Sequence, residues 1–466
     1  MIEVAEKEQK TIRRAALTVA LITNFIGPFS SNSMNIAVPH IGAEFQASAT
    51  SLTWIVISFL MVTALLSLPF GRVGDIYGRK WLLKLGLLLI CTTSLLNVFS
   101  PNMTVFILLR TVQGAGAAMI NATISAILVD AFPANKRGTV LGIGVMGVYC
   151  GSSCGPVLGG LITHTFGWRG ILVLISAIAL TAFLMAVIWL PKDRKNDPGE
   201  QTEKVKVNPS SFALYILSLG LLLYGLVTLT QNIQSYFILA AGAVLVVFLV
   251  KHEMRTEGSL LEVRLFKGNP VFILSALASM LNYASIIGVA FLMSIYLQLV
   301  KGLSADISGI ILISQPIIQV IISPFSGRLA DKKSPGLIAT LGMTSCFAAL
   351  LMFSFLNEQT PLPYVMTGLM LIGLGVGFFV APNNSVILGT VTNKDYGVAT
   401  AFTSTGRTIG QVTGMAIVTI VSNAVIGSVP LEHVAPATIV QNMHISFMIF
   451  VGIIVVGILT SLKRTK

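Results

Sequence analysis

The chain has 466 residues, of which 54% are hydrophobic and only 10% are charged, whereas an ordinary soluble domain has about 25% charged residues. A soluble globule of this length cannot bury that much apolar surface, so the mean hydropathy of +0.85 indicates a protein that lies in lipid. The same composition excludes an intrinsically disordered chain, a collagen-like fibre and a disulfide-linked scaffold.

Fourteen apolar stretches are long enough to cross a membrane, because a spanning helix needs about 20 mainly apolar residues. In chain order they cover residues 16–38, 53–71, 81–99, 104–130, 138–162, 168–190, 210–229, 235–251, 270–299, 305–327, 335–356, 362–391, 397–427 and 441–462. The predicted fold class is therefore an all-α integral membrane protein with 14 transmembrane helices in a lipid bilayer.

Lys and Arg are concentrated in alternate links between these stretches. The side that includes the N-terminus holds 26 of the 30 Lys and Arg, the other side holds Arg169 and Lys301, and Arg110 and Arg407 lie inside stretches. Such a bias predicts that the basic side is cytoplasmic, so both chain ends are expected to be cytoplasmic in a multi-pass protein of the cell membrane. Because these loops account for the net charge of +12, we expect no nucleic-acid partner.

The two ends of the chain repeat each other. Three glycines of the fifth stretch recur 259 residues later in the thirteenth, pairing Gly147, Gly151 and Gly155 with Gly406, Gly410 and Gly414. Parallel repeats of this kind are typical of alternating-access transporters that bind substrate between the two halves. We therefore predict an N-terminal six-helix bundle over 1–192, a linker with two extra transmembrane helices over 193–268, and a C-terminal six-helix bundle over 269–466.

Glycines and charges in the link after the second stretch form an ordered pattern. Residues 71–80 read G-x-x-x-D-x-x-G-R-K, and part of this pattern recurs from Gly327 to Asp331. Glycines permit a tight turn there, and the carboxylate can bind an arginine or a helix N-terminus. The pattern resembles the signature loop of the major facilitator superfamily.

Three further stretches strengthen this resemblance. Residues 109–116 (LRTVQGAG) resemble the family's arginine motif, residues 151–160 (GSSCGPVLGG) its antiporter motif, and residues 34–39 (MNIAVP) a motif of the fourteen-span drug–proton antiporters. The resemblance implies a major facilitator fold and a secondary active transporter. It implies a protein similar to the multidrug efflux pumps that confer antibiotic resistance. Such a protein exports small drugs or metabolites by alternating access in antiport with protons, and is expected to be a monomer.

Residues of the signature loop and of the glycine-rich fifth stretch are the predicted gating residues. Glycines four residues apart let two helices approach closely, and Pro156 bends the helix beside them. The gating set comprises Gly71, Asp75, Gly78, Arg79, Lys80, Asp130, Asp331, Gly151, Gly155, Pro156, Gly159 and Gly160. Ordinary loop structure and simple helix packing are the alternative interpretations.

Polar side chains inside the stretches are the predicted lining of a substrate cavity, because such side chains are costly in lipid. They are Asn24, Ser30, Asn32, Asn35, Asn121, Asn282, Tyr283, Gln315, Gln319, Asn383, Asn384, Arg407 and Gln411. Any single amide can instead hydrogen-bond two helices together. Arg110, Asp130 and Arg407 are the candidates for coupling transport to a second ion.

None of the 18 acidic residues lies within a stretch; each lies in a link or at the end of a stretch. The related drug antiporters carry an aspartate five residues before the asparagine of their motif, and this chain has Ser30 there. A facilitator or exporter of neutral or anionic metabolites or lipids, without a carboxylate proton site, is therefore the alternative function.

Two patterns typical of soluble enzymes occur in the fifth stretch and are set aside. Residues 142–147 match G-x-G-x-x-G and residues 151–155 match G-x-S-x-G, but neither follows a strand, as nucleotide binding and a nucleophile elbow require. The four cysteines have no metal-ligand spacing. We expect no enzyme activity, no metal and no cofactor.

The charge bias generates a topology prediction. In a variant without native cysteines, a membrane-impermeant thiol reagent added to intact cells should label a cysteine introduced at Pro101 or Glu358 and should not label one at Lys195. Labelling of Lys195→Cys from outside the cell would contradict the predicted orientation.

Overall fold

The computed structural model describes residues 2–132, 137–190, 208–255, 268–391 and 396–464. The side chain of Asp331 and the predicted boundary at 192–193 lie outside what is described. All long regular elements within these ranges are helices, and one isolated β-bridge joins Ser48 to Pro430. The all-α fold class is confirmed.

The helices follow the predicted order. They are α1 (Ile2–Phe45), α2 (Ala49–Tyr77), α3 (Arg79–Val98), α4 (Met103–Ala131), α5 (Arg137–Phe166), α6 (Arg169–Trp189), α7 (Pro209–Val227), α8 (Gln234–Arg255), α9 (Pro270–Ile295), α10 (Ala305–Leu312), α11 (Ser314–Lys332), α12 (Pro335–Phe353), α13 (Leu362–Leu388), α14 (Tyr396–Val425) and α15 (Pro436–Lys463). A π-helical turn, Tyr296–Val300, extends α9, and the 3-10 turn Leu431–His433 precedes α15.

Within the described ranges, thirteen segments are long and apolar enough to cross a membrane, with α10 and α11 together forming one of them. The break between α10 and α11 at Ile313 precedes Pro316, which has no backbone N–H to donate to the preceding turn. The fourteenth predicted span lies in α1, whose asparagines and serines make it more polar than the others.

Many helix contacts fall within two groups, α1 to α6 and α9 to α15, while α5 contacts α10 and α2 contacts α14 across them. In the first, α1 packs on α5, and α4 packs on α2 and α3; in the second, α9 packs on α14, and α12 packs on α13 and α15. The inserted helices α7 and α8 pack on each other, and α7 also contacts α2 and α14. We call α1–α6 the N-half and α9–α15 the C-half.

Glycines account for a close helix contact within each half. A Cβ atom on Gly147 of α5 would lie 2.5 Å from the Leu21 carbonyl oxygen of α1, and a Cβ on Gly414 of α14 would overlap the Ala284 carbonyl of α9. Only glycine permits this approach. The repeated glycines therefore make equivalent contacts in the two halves.

The two halves meet tightly at one end of the molecule. We call this end, where α1 and α14 terminate, the opposite face, and the end where α2 and α15 terminate the basic face. Thr419 Oγ1 donates to Thr53 Oγ1 at 2.7 Å, and Gln298 Nε2 donates to the Ile36 carbonyl at 3.0 Å. These contacts, and the bridge between Ser48 and Pro430, join the halves at or near the opposite face.

Side chains toward the basic face have more space around them. A Cβ atom on Gly142 of α5 or on Gly406 of α14 would have no neighbouring atom within 4 Å, and Met146 of α5 is 59% exposed. The conformation is therefore closed at the opposite face and looser toward the basic face.

Candidate functional site

A cavity of about 120 Å³ lies between α9, α13 and α14. Its wall extends from Leu388 and Thr400, close to the basic face, to Tyr283 in the middle of α9. This volume is below the range of about 300–1,000 Å³ that is typical of small-molecule sites. The cavity lies on the C-half, and its position gives access from the basic face.

Arg407 is the charged residue of the cavity wall. Its side chain is exposed, and its guanidinium carbon lies 5.6 Å from the centre of the Tyr283 ring. A cation over an aromatic face is attracted by the ring quadrupole. None of the described residues that line the cavity is acidic, so its wall carries net positive charge.

The other lining residues combine apolar and hydrogen-bonding groups. Phe379 and Val380 provide apolar surface, and Asn383, Asn384 and Ser404 provide amides and a hydroxyl. Of the predicted cavity residues, the structure therefore brings together Tyr283, Asn383, Asn384 and Arg407.

Arg110 lies in the N-half, away from this cavity, and is 2% exposed. It donates to Gln113 Oε1 at 2.6 Å, to Ser30 Oγ at 3.3 Å and to the Ile55 carbonyl at 3.4 Å, and it lies 4.8 Å from the centre of the Phe59 ring. These partners are all neutral. Ser30 is accordingly a buried acceptor for Arg110 rather than part of the cavity wall.

Several predicted cavity asparagines instead bind backbone or are enclosed among helices. Asn24 Nδ2 donates to the Gly144 carbonyl of α5 at 3.0 Å, and Asn32 Nδ2 to the Pro28 carbonyl of its own helix at 3.0 Å. Asn35 and Asn282 are buried. In this conformation these four residues therefore hydrogen-bond to helix backbone or lie between packed helices.

The remaining predicted cavity residues lie outside the cavity wall. Asn121 is exposed, whereas Gln315, Gln319 and Gln411 are half-buried. Gln411 lies one turn beyond Arg407 on α14.

Arg79 holds two carboxylates at the basic face. It donates to Asp75 Oδ1 at 2.9 Å through Nε and to Asp130 Oδ2 at 2.8 Å through Nη1. Gly78 has a φ of +114° between α2 and α3, a value that favours glycine. Asp75, Arg79 and Asp130 all belong to the N-half, so this triad connects α2, α3 and α4 here and does not bridge the halves.

The glycine-rich part of α5 lies between both halves. A Cβ atom on Gly155 would lie 2.8 Å from Asn32 Cβ, and one on Gly159 would lie 2.6 Å from Ser33 Cβ, both on α1. On its other side, Gly160 meets Ala305, and Pro156 meets Gly309, both on α10. This segment is therefore a close contact between N-half and C-half toward the opposite face.

The structure also places residues that the sequence pattern did not single out. Tyr149 of α5 donates to Ser323 Oγ of α11 at 3.1 Å, which joins the halves at the middle of these two helices. Glu253 on α8 and Arg464 after α15 are buried although both lie near helix ends. No sequence signal separates them from the exposed charges of the basic side.

Comparison with known proteins agrees with this architecture. The sequence profile of the Major Facilitator Superfamily matches residues 20–415. The chain belongs to this superfamily. It is a multi-pass membrane transporter and not an enzyme.

Similar superfamily members include transporters with different named substrates. The chain is 31% identical over 407 residues to the riboflavin transporter RibZ of Clostridioides difficile, covering 86% of each chain. It is 27% identical over 421 residues to the multidrug efflux pump LfrA of Mycolicibacterium smegmatis, covering 89% of this chain and 82% of that protein.

Solved superfamily structures share the fold at low sequence identity. A bacterial homologue of the human lysosomal transporter Spinster, in an inward-facing and unoccupied conformation, aligns with a TM-score of 0.70 at 15% identity. The alignment covers 98% of this chain and 97% of that one.

The superfamily signature loop gives a test of gating. We predict that Asp75→Asn, which removes a carboxylate from Arg79, slows transport by up to about fivefold, because ion pairs this exposed contribute about 0.2–1 kcal/mol. Substrate affinity should be unchanged, since Asp75 lies outside the cavity. Initial transport rates and substrate affinity of the purified protein in liposomes measure both effects.

Glu44→Gln is the matched control, because Glu44 binds Arg169 at 2.6 Å with similar exposure at the opposite face. Equal transport rates in Asp75→Asn and the parent protein would contradict a gating role for Asp75.

Proposed function

We propose that this transporter exports small organic molecules by alternating access, and that it prefers neutral or anionic molecules to cations. The observation that carries the proposal is the cavity of the C-half, where Arg407 stands over Tyr283 and no described lining residue is acidic. An organic cation entering this cavity meets Arg407 without a counter-charge and is repelled. A neutral or anionic molecule is not.

The conformation supports loading from the basic face. The halves are joined by Gln298 and Thr419 toward the opposite face, whereas the cavity wall reaches Leu388 and Thr400 at the basic face. If the basic face is cytoplasmic, as the positive charges predict, a cytoplasmic molecule reaches this cavity first, as export requires.

The named relatives support an organic molecule of moderate size. RibZ is named for riboflavin, an uncharged molecule that contains an aromatic ring system, and LfrA is named for multidrug efflux. Tyr283 and Phe379 provide aromatic surface on which a ring can stack. We take flavins as probes of the cavity on this basis.

Exchange for protons requires a group that titrates. Arginine side chains are not deprotonated in proteins, so among the three coupling candidates only Asp130 has a carboxylate that could carry a proton. It binds Arg79 at the basic face and its side chain is 60% exposed. We propose Asp130 as the coupling residue, with the substrate's own acid group as the alternative carrier.

Transport by the purified protein in liposomes tests this function. We expect uptake of riboflavin or its monophosphate to exceed that of ethidium, a permanent cation, and Arg407→Ala to reduce flavin transport about tenfold or more, which corresponds to about 1.4 kcal/mol. Arg407→Lys, which keeps the charge, should retain part of the activity. An imposed pH gradient should accelerate export, and Asp130→Asn should abolish that acceleration.

Arg328→Ala is the control for loss of a positive charge, since Arg328 is exposed on α11 outside the cavity wall. Robust export of ethidium driven by a pH gradient would contradict the proposal and indicate a cationic-drug antiporter.

A further inference from the structure

Arg464 follows the last turn of α15 and yet is only 7% exposed, whereas the preceding residue, Lys463, is exposed. A charged residue near the end of a membrane helix ordinarily extends toward water. Arg464 instead turns inward between the helices of the C-half.

The guanidinium of Arg464 is incompletely satisfied there. Nη1 donates to Asn383 Oδ1, while Nε and Nη2 are buried without an acceptor among the described residues. Burial lowers the pKa of Arg464 to about 10, which leaves the group charged at neutral pH. A buried cation is costly when, as among the residues described here, it has no carboxylate partner.

Asn383 connects Arg464 to the cavity. Its side chain is 1% exposed on α13, and it lines the cavity together with Ser404 and Arg407. Because a guanidinium can only donate, Asn383 must turn its oxygen toward Arg464. Its Nδ2 then faces away and reaches the Ser275 carbonyl at 3.4 Å, which leaves its second N–H for another acceptor.

The cavity therefore has hydrogen-bond donors and positive charge at the same part of its wall. Arg407 faces it directly, Asn383 is fixed as a donor, and Arg464 adds a second positive charge one residue behind the wall. Carboxylate and phosphate oxygens are the acceptors that such groups bind best.

We propose that this cavity binds the carboxylate or phosphate group of a small aromatic anion, with Arg407 as its direct contact and Arg464 as a positioning residue acting through Asn383. The proposal rests on the proposed function, because it names the substrate class of the same cavity. It assigns to Arg464 a role in selecting anions over neutral molecules of the same shape.

Equilibrium binding to the purified protein tests the proposal with matched probes. Riboflavin and riboflavin monophosphate share one ring system and differ by a phosphate. Benzamide is neutral, and benzoate is an anion of similar shape. We expect the parent protein to bind the anion of each pair more tightly. Arg464→Gln should weaken anion binding about tenfold, the factor expected for loss of one charge-assisted interaction, and leave affinity for the neutral partner unchanged.

Two further variants separate positioning from structure. Lys463→Gln removes an adjacent exposed charge and should alter neither affinity. Asn383→Asp gives Arg464 a carboxylate partner and places negative charge at the cavity wall, so it should abolish the preference for anions. The melting temperature of ligand-free Arg464→Gln should be equal to or above that of the parent, because a buried unpaired charge is removed.

Equal weakening of both members of a pair, together with a lower melting temperature, would show a merely structural role and overturn the proposal. Absence of anion binding in the parent, absence of a preference for anions, or unchanged anion affinity in Arg464→Gln would also overturn it. Selective binding without transport in liposomes would refute the proposed function alone, and flavin transport without a preference for anions would refute this inference alone.

Discussion

A guanidinium that lies in a low-dielectric interior without a carboxylate partner costs free energy. This cost is the physical constraint on the arginines of this structure. An unpaired charge in lipid costs several kcal/mol, about 2.5–3.5 on insertion scales. Arg110 avoids this cost with carbonyl, amide and hydroxyl oxygens and the face of Phe59. Arg407 avoids it by facing the cavity, and Arg464 is only partly satisfied. The three environments distinguish an enclosed arginine with neutral partners, an arginine that faces the cavity and an arginine that lies behind the cavity wall.

Close helix packing supplies the framework in which these charges are held. Gly147 of α5, which faces α1, and Gly414 of α14, which faces α9, lack side chains at equivalent places in the two halves, so each half contains a tightly packed helix pair. Between the halves, Gly160 and Gly309 allow α5 and α10 to touch toward the opposite face. In this contact the backbones of the two helices approach closely because no side chain separates them.

The sequence predicts the helices well and the direction of side chains poorly. The length of each apolar stretch was sufficient to predict a membrane-spanning helix. The reason is that every backbone N–H and C=O group in lipid must be hydrogen-bonded within its own helix. The break at Ile313 was missed, since membrane helices often tolerate a proline such as Pro316. Ser30 was predicted in the cavity and instead binds Arg110, because helical periodicity does not determine which neighbour a polar side chain meets. Arg464 was counted among the loop charges, and only the fold shows it turned inward.

The central claim is that positive charge in the cavity of the C-half determines which molecules are transported. The most direct measurement compares transport of riboflavin monophosphate and ethidium in liposomes containing either the parent protein or Arg407→Glu. Since Arg407 is exposed to the cavity, reversing its charge should leave the fold intact. We predict that the preference inverts, so that Arg407→Glu transports ethidium faster than the flavin anion. An unchanged ratio of the two rates in the folded variant would contradict the account.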